Sequence, residues 1–75
     1  MTTFRLYVGL GNSTHYAQVL RSEGYNVVTC EPEAVIFQAP DSNDGWGDIG
    51  AMSNVQEKTG LAFKPTDWDA IGGGK

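Results

Sequence analysis

Phe4, Leu6 and Val8 alternate with Arg5 and Tyr7, a period of two that predicts a strand with one face committed to a core. Polar residues follow. Gly9-Leu10-Gly11-Asn12 makes a turn, Ser13 or Thr14 suits a helix N-cap, and Tyr16, Ala17 and Leu20 then recur at helical spacing up to Gly24, a C′ residue. Tyr25 to Cys30 is rich in β-branched and aromatic residues, Glu31-Pro32-Glu33 is turn-like, and Ala34 to Ala39 is again strand-like, which predicts an antiparallel hairpin. Pro40 ends it, and the turn formers from Asp41 to Gly47 predict a surface loop.

A second helix is expected with Asp48 as N-cap, Ile49, Met52 and Val55 on one face and Gly60 as terminator; Ser53-Asn54-Val55-Gln56 also fits a capping box, which would start it later. Leu61 to Lys64 has room for a short last strand closed by Pro65. The order βαββαβ predicts an α+β fold of the ferredoxin-like kind, a four-stranded antiparallel sheet with two helices on one face. One domain is expected over residues 1–66, with 67–75 as a tail ending in Gly72-Gly73-Gly74-Lys75.

In a two-layer fold the uncovered sheet face should alternate to polar, and the hairpin strands do not. Tyr25, Val27 and Thr29 oppose Val28 and Cys30, and Ala34 and Ile36 oppose Val35, Phe37 and Ala39. Tyr7, Val28 and Phe37, or their counterparts, are therefore expected on the open face, an apolar patch suited to self-association or to a foreign partner. The competing expectation is that the tail carrying Trp68 and Ile71 folds back over it.

Length narrows the options. A chain of 75 residues buries only about 60% of its unfolded surface. A single cysteine excludes an internal disulfide, and Cys30 with the lone His15 matches no zinc spacing. Cys30 reads as a small core residue. No charged N-region leads an apolar stretch, and the longest apolar run, Ala34 to Phe37, is too short to cross a bilayer, so a soluble cytoplasmic protein is expected.

Charge sharpens the picture further. Nine acidic residues face five basic ones, and between Arg21 and Lys58 there is no Lys or Arg, while Glu23, Glu31, Glu33, Asp41, Asp44, Asp48 and Glu57 all fall in that interval. Such a field repels phosphate backbones and favours a basic partner surface. Solubility alone also accounts for acidity of this degree. Trp46 lies in the acidic loop and Trp68 between Asp67 and Asp69, and tryptophan is enriched among binding hot spots; either ring could equally cap the core.

Candidate chemistry is thin. Gly9 to Thr14 between a strand and a helix, with Glu31 beyond, resembles the opening unit of Rossmann-type dehydrogenases, which would imply a dinucleotide. Thr14 stands where that family has its third glycine, and the rest of the chain is too short for the second half-site. What survives is an anion site built from Gly11 and the amides of Asn12, Ser13 and Thr14, with His15 nearby. Leu6-Tyr7-Val8-Gly9 is similar to the first-strand motif of RNA-recognition motif domains, with Tyr7 at the base-stacking position, but Ala34 to Ala39 lacks their second motif and the net charge is −4. Ser13 and His15 sit two residues apart with no acid placed to orient the imidazole, and Asp41, Asp44 and Asp48 do not follow the EF-hand spacing.

No cofactor, metal site or enzyme activity is expected. In size, acidity and lack of catalytic motifs the chain resembles small phage-encoded inhibitors of host defence, the anti-CRISPR proteins, some of which mimic nucleic acid. The likeness is of character and not of motif. It implies a binding module in the host cytoplasm that engages a basic, nucleic-acid-handling protein; the residues expected to make the contact, read from the acidic interval, the tryptophans and the open sheet face, are Trp46, Trp68, Asp41, Asp44, Asp48, Tyr7 and Phe37. The alternative is a dimeric regulatory module that binds a small ligand or anion at the Gly9 to Thr14 turn.

Overall fold

The computed structural model describes residues 1–42 and 45–72. The chain forms β1 (Thr2–Tyr7), α1 (Ser13–Ser22), β2 (Asn26–Cys30), β3 (Ala34–Ala39), α2 (Asp48–Thr59), a 3-10 turn (Pro65–Asp67) and β4 (Trp68–Gly72). The sheet order is β2-β3-β1-β4 and every pairing is antiparallel, the α+β ferredoxin-like arrangement.

The expected last strand at Leu61 to Lys64 is corrected. Leu61 and Phe63 instead pack against the core from a connecting segment, and the fourth strand is Trp68–Gly72, hydrogen-bonded along β1. The boundary placed after residue 66 therefore falls inside the fold: most of the supposed tail is an edge strand. Pro65 opens the 3-10 turn that leads into β4 and does not merely close what precedes it.

One face of the sheet carries the core. The register pairs Thr2 with Ala39, Phe4 with Phe37 and Leu6 with Val35, so these side chains point the same way. From the helices Ala17, Leu20, Ala51, Met52 and Val55 close over them, all buried. An aromatic row binds the strands together: the ring of Tyr25, just before β2, lies 6.1 Å from Phe37, Phe37 lies 6.1 Å from Phe4, and Phe4 meets Trp68 edge-on at 5.4 Å. Such ring pairs add about 0.5–1.5 kcal/mol each beyond the area they bury.

A register shift in β2 breaks the simple alternation of the hairpin strands. A bulge in β2 at Val28 lets Val27 face Phe37 and Cys30 face Val35, so Val27 and Cys30 share a face despite their odd separation. Cys30 is thus on the core side, yet it lies at the sheet edge and is exposed, correcting its assignment to the core. Phe37 is also corrected, being fully buried and absent from the open face. On α2 the buried residues are Gly50, Ala51, Met52 and Val55, while Ile49 is 57% exposed.

The open face is mostly polar. Asn26 donates to Gln38 at 2.9 Å, Gln38 donates to Thr3 at 3.4 Å, and Arg5 donates to Glu31 at 2.9 Å. These cross-strand bonds lace the surface that alternation had marked as apolar; of the three large residues expected there, Tyr7 and Val28 are about half exposed and Val28 is the bulge residue. Both edge strands, β2 and β4, carry a bulge, a device that discourages edge-to-edge pairing.

Candidate functional site

The connection from β3 to α2 gathers the most accessible of the expected binding residues. Pro40 ends the strand, and the chain turns outward because proline cannot donate to a continuing ladder. At its start Asp41 is held by two donors, the Thr2 hydroxyl at 2.7 Å and the N-terminal ammonium at 3.1 Å. These hydrogen bonds, the hydroxyl first, hold the Asp41 carboxyl below its ordinary pKa. Asp41 therefore ties the loop to the beginning of β1, a structural role beside any role in binding. Asp44 lies outside the described residues.

At the far end of the connection Trp46 is 69% exposed. Gly45 and Gly47 flank it, both with positive φ (83° and 62°), a backbone shape that costs an L-residue strain and presents the indole outward from the fold. Gly47 caps α2, accepting from the Ala51 amide at 3.0 Å, and Asp48 opens its first turn, where the exposed helix amides favour a negative charge. Ile49 follows, also exposed. Within four consecutive residues the fold thus presents an indole, a carboxylate and an isoleucine side chain, with no Lys or Arg between Arg21 and Lys58.

The other expected binding residues are elsewhere. Trp68 is partly buried against Phe4 and serves the core, so the two tryptophans have different roles. Phe37 lies in the same core, its ring against Phe4 from β3. Tyr7 is about half exposed on the open face at the other end of the sheet, beside the hairpin.

The glycine-rich turn proves to be a clasp. The amides of Val8 and Gly9 donate to the Glu33 carbonyl at 2.8 and 3.2 Å, and that of Gly11 to the Pro32 carbonyl at 3.4 Å. The Asn12 amide donates to the Gly9 carbonyl at 3.2 Å, and the Asn12 side chain to the Val8 carbonyl at 2.9 Å. Gly11 and Asn12 have therefore spent the donors expected to meet an anion, which corrects their assignment to such a site. Asn12, and neither Ser13 nor Thr14, is the N-cap. Ser13 is buried, and the exposed His15 sets its ring against Tyr16 at 6.0 Å.

A cleft of about 280 Å³ lies where the hairpin meets β1, lined by Arg5, Glu31, Pro32 and Glu33. Nothing in the sequence pattern signals it, because it depends on Glu31 reaching back across β3 to Arg5. Its one cation is already paired with a half-exposed carboxylate.

Among the described residues no group of three His, Cys, Asp or Glu side chains is placed to hold a metal ion, and no helix is long and apolar enough to cross a membrane. Comparison with protein-family models, with curated proteins and with solved structures finds no match to the chain.

Proposed function

We propose that the protein is a small non-catalytic binding module, an inhibitor or accessory protein, that engages a basic protein surface through the β3–α2 connection. The observation that carries this reading is the exposure of Trp46, 69% accessible beside Asp48 in a segment without a cation of its own. An indole left in water forgoes a large burial free energy that a partner can recover. Acidic flanks select for Arg and Lys opposite, and the surrounding negative field raises the encounter rate.

Magnitudes favour a local contact over imitation of a whole duplex. The longest dimension of the molecule is 34 Å, a length of duplex that carries about 20 phosphate charges. The chain carries a net −4. Its field is about a fifth as dense, enough to steer a basic domain but too weak to replace nucleic acid charge for charge. A basic, nucleic-acid-handling host protein is the partner class this reading names, in keeping with the character of phage-encoded defence inhibitors.

The test is competition. Basic nucleic-acid-binding domains are loaded with a fluorescently labelled duplex, and displacement is followed by polarisation below and above physiological ionic strength. Displacement that weakens with salt and is lost in Trp46→Ala supports the reading. No displacement from any domain, or equal displacement by the variant, would overturn it.

A further inference from the structure

We infer that the contact made by this segment is an arginine, its guanidinium stacked on Trp46 and forked onto Asp48; the inference rests on the binding reading above and specifies its chemistry. Trp46 and Asp48 are separated by Gly47 alone, so their Cα atoms lie at most about 7 Å apart. That span suits a planar group which can lie on a ring face while its edge meets a carboxylate. Guanidinium does both, because its charge is delocalised over a plane and its N–H donors form a fork matched to two carboxylate oxygens. Ammonium does only half of this: it can sit over an indole or against a carboxylate as a compact, strongly hydrated charge, with no plane to stack.

Three further observations favour this occupant. Ile49, one residue beyond Asp48 and 57% exposed, offers apolar surface to the methylene stem that an arginine carries behind its head group. Asp41 is already engaged by the Thr2 hydroxyl and the N-terminal ammonium, which leaves Asp48 as the described carboxylate of the connection still open to a donor. The interval between Arg21 and Lys58 carries no arginine or lysine, so the segment offers an incoming cation acidic charge only. Indole is the strongest of the aromatic faces for a cation, and Trp and Arg are the two side chains most enriched at binding hot spots.

The experiment compares two labelled peptides of equal length and charge, oligo-arginine and oligo-lysine, binding to the full chain by polarisation at one fixed ionic strength. Oligo-arginine is expected to bind at least about tenfold more tightly, a difference of about 1.4 kcal/mol. Trp46→Ala and Trp46→Leu should each bring the two peptides to the same affinity, the leucine variant keeping apolar bulk without a ring, and Asp48→Asn should narrow the gap. Circular dichroism of each variant checks that it is folded. Equal affinity for both peptides in the parent protein overturns the arginine assignment while the acidic binding reading stands. A preference that survives loss of the Trp46 ring overturns it as well. Failure of both peptides to bind refutes the arginine assignment and the acidic binding reading together.

Discussion

Replacing each tryptophan by alanine should give opposite results, because the fold places one indole against the core and the other in water. Trp68 is partly buried with its ring 5.4 Å from Phe4, at the end of the aromatic row that crosses the sheet. A fully buried Trp→Ala change costs about 3–5 kcal/mol from lost transfer and cavity terms, so a partly buried ring should cost about 3 kcal/mol. A 75-residue domain has about 4–11 kcal/mol of stability in total. The loss is thus about a quarter or more of the whole, and at about 4–8 °C per kcal/mol it should lower Tm by roughly 12–24 °C. Trp46, 69% exposed, should shift stability by no more than about 0.5 kcal/mol when removed. Urea unfolding followed at 222 nm gives the free energies, and thermal scans give Tm. A loss below about 1 kcal/mol for Trp68→Ala would show that β4 does not dock as described. Comparable losses for the two variants would refute the division of roles on which the binding proposal depends.

Three further outcomes are expected. Gly72→Ala would set a Cβ 2.9 Å from the Thr3 Cβ, so β4 must shift and stability should fall by about 1–3 kcal/mol; an unchanged urea midpoint would contradict the register at that edge. Asp41 has its carboxyl pKa lowered by the Thr2 hydroxyl and the N-terminal ammonium, so its contribution is present above the unfolded value near pH 3.9 and is lost as pH falls through the lower folded value. Asp41→Asn should accordingly be less stable than the parent at neutral pH and converge with it in acid, as measured by urea unfolding across a pH series; a gap independent of pH would show the carboxylate is not the cause. Inorganic phosphate should leave Tm unchanged, since the Gly11 and Asn12 amides are already bonded to carbonyls; saturable stabilisation abolished in His15→Ala would restore the anion site.

The hydrophobic pattern determined the fold class and most of its elements. Phe4, Leu6 and the run from Ala34 to Ala39 give a strand signal strong enough to locate β1 and β3, and Gly24 and Gly60, with φ of +91° and +74°, mark the ends of the two helices because only glycine enters that conformation without strain. Local chemistry decides such features, so they can be read locally. The fourth strand escaped because Trp68–Gly72 alternates poorly, and only pairing with β1 makes it a strand.

The site shows the same division. The acidic interval and Trp46 could be named from composition and turn formers, since exposure of a glycine-flanked loop is a local property. Which tryptophan is buried could not, because Trp46 and Trp68 have similar acidic surroundings and differ in whether Phe4 lies beneath the ring. The bulge at Val28 places Cys30 on the same face as Val27, and a one-residue slip of this kind inverts every inference drawn from period-two alternation beyond it. The glycine-rich turn is the sharpest case. Its residues suit an anion site or a tight strand-to-helix connection, and only the tertiary structure brings the Pro32 and Glu33 carbonyls, some twenty residues along the chain, onto the Val8, Gly9 and Gly11 amides.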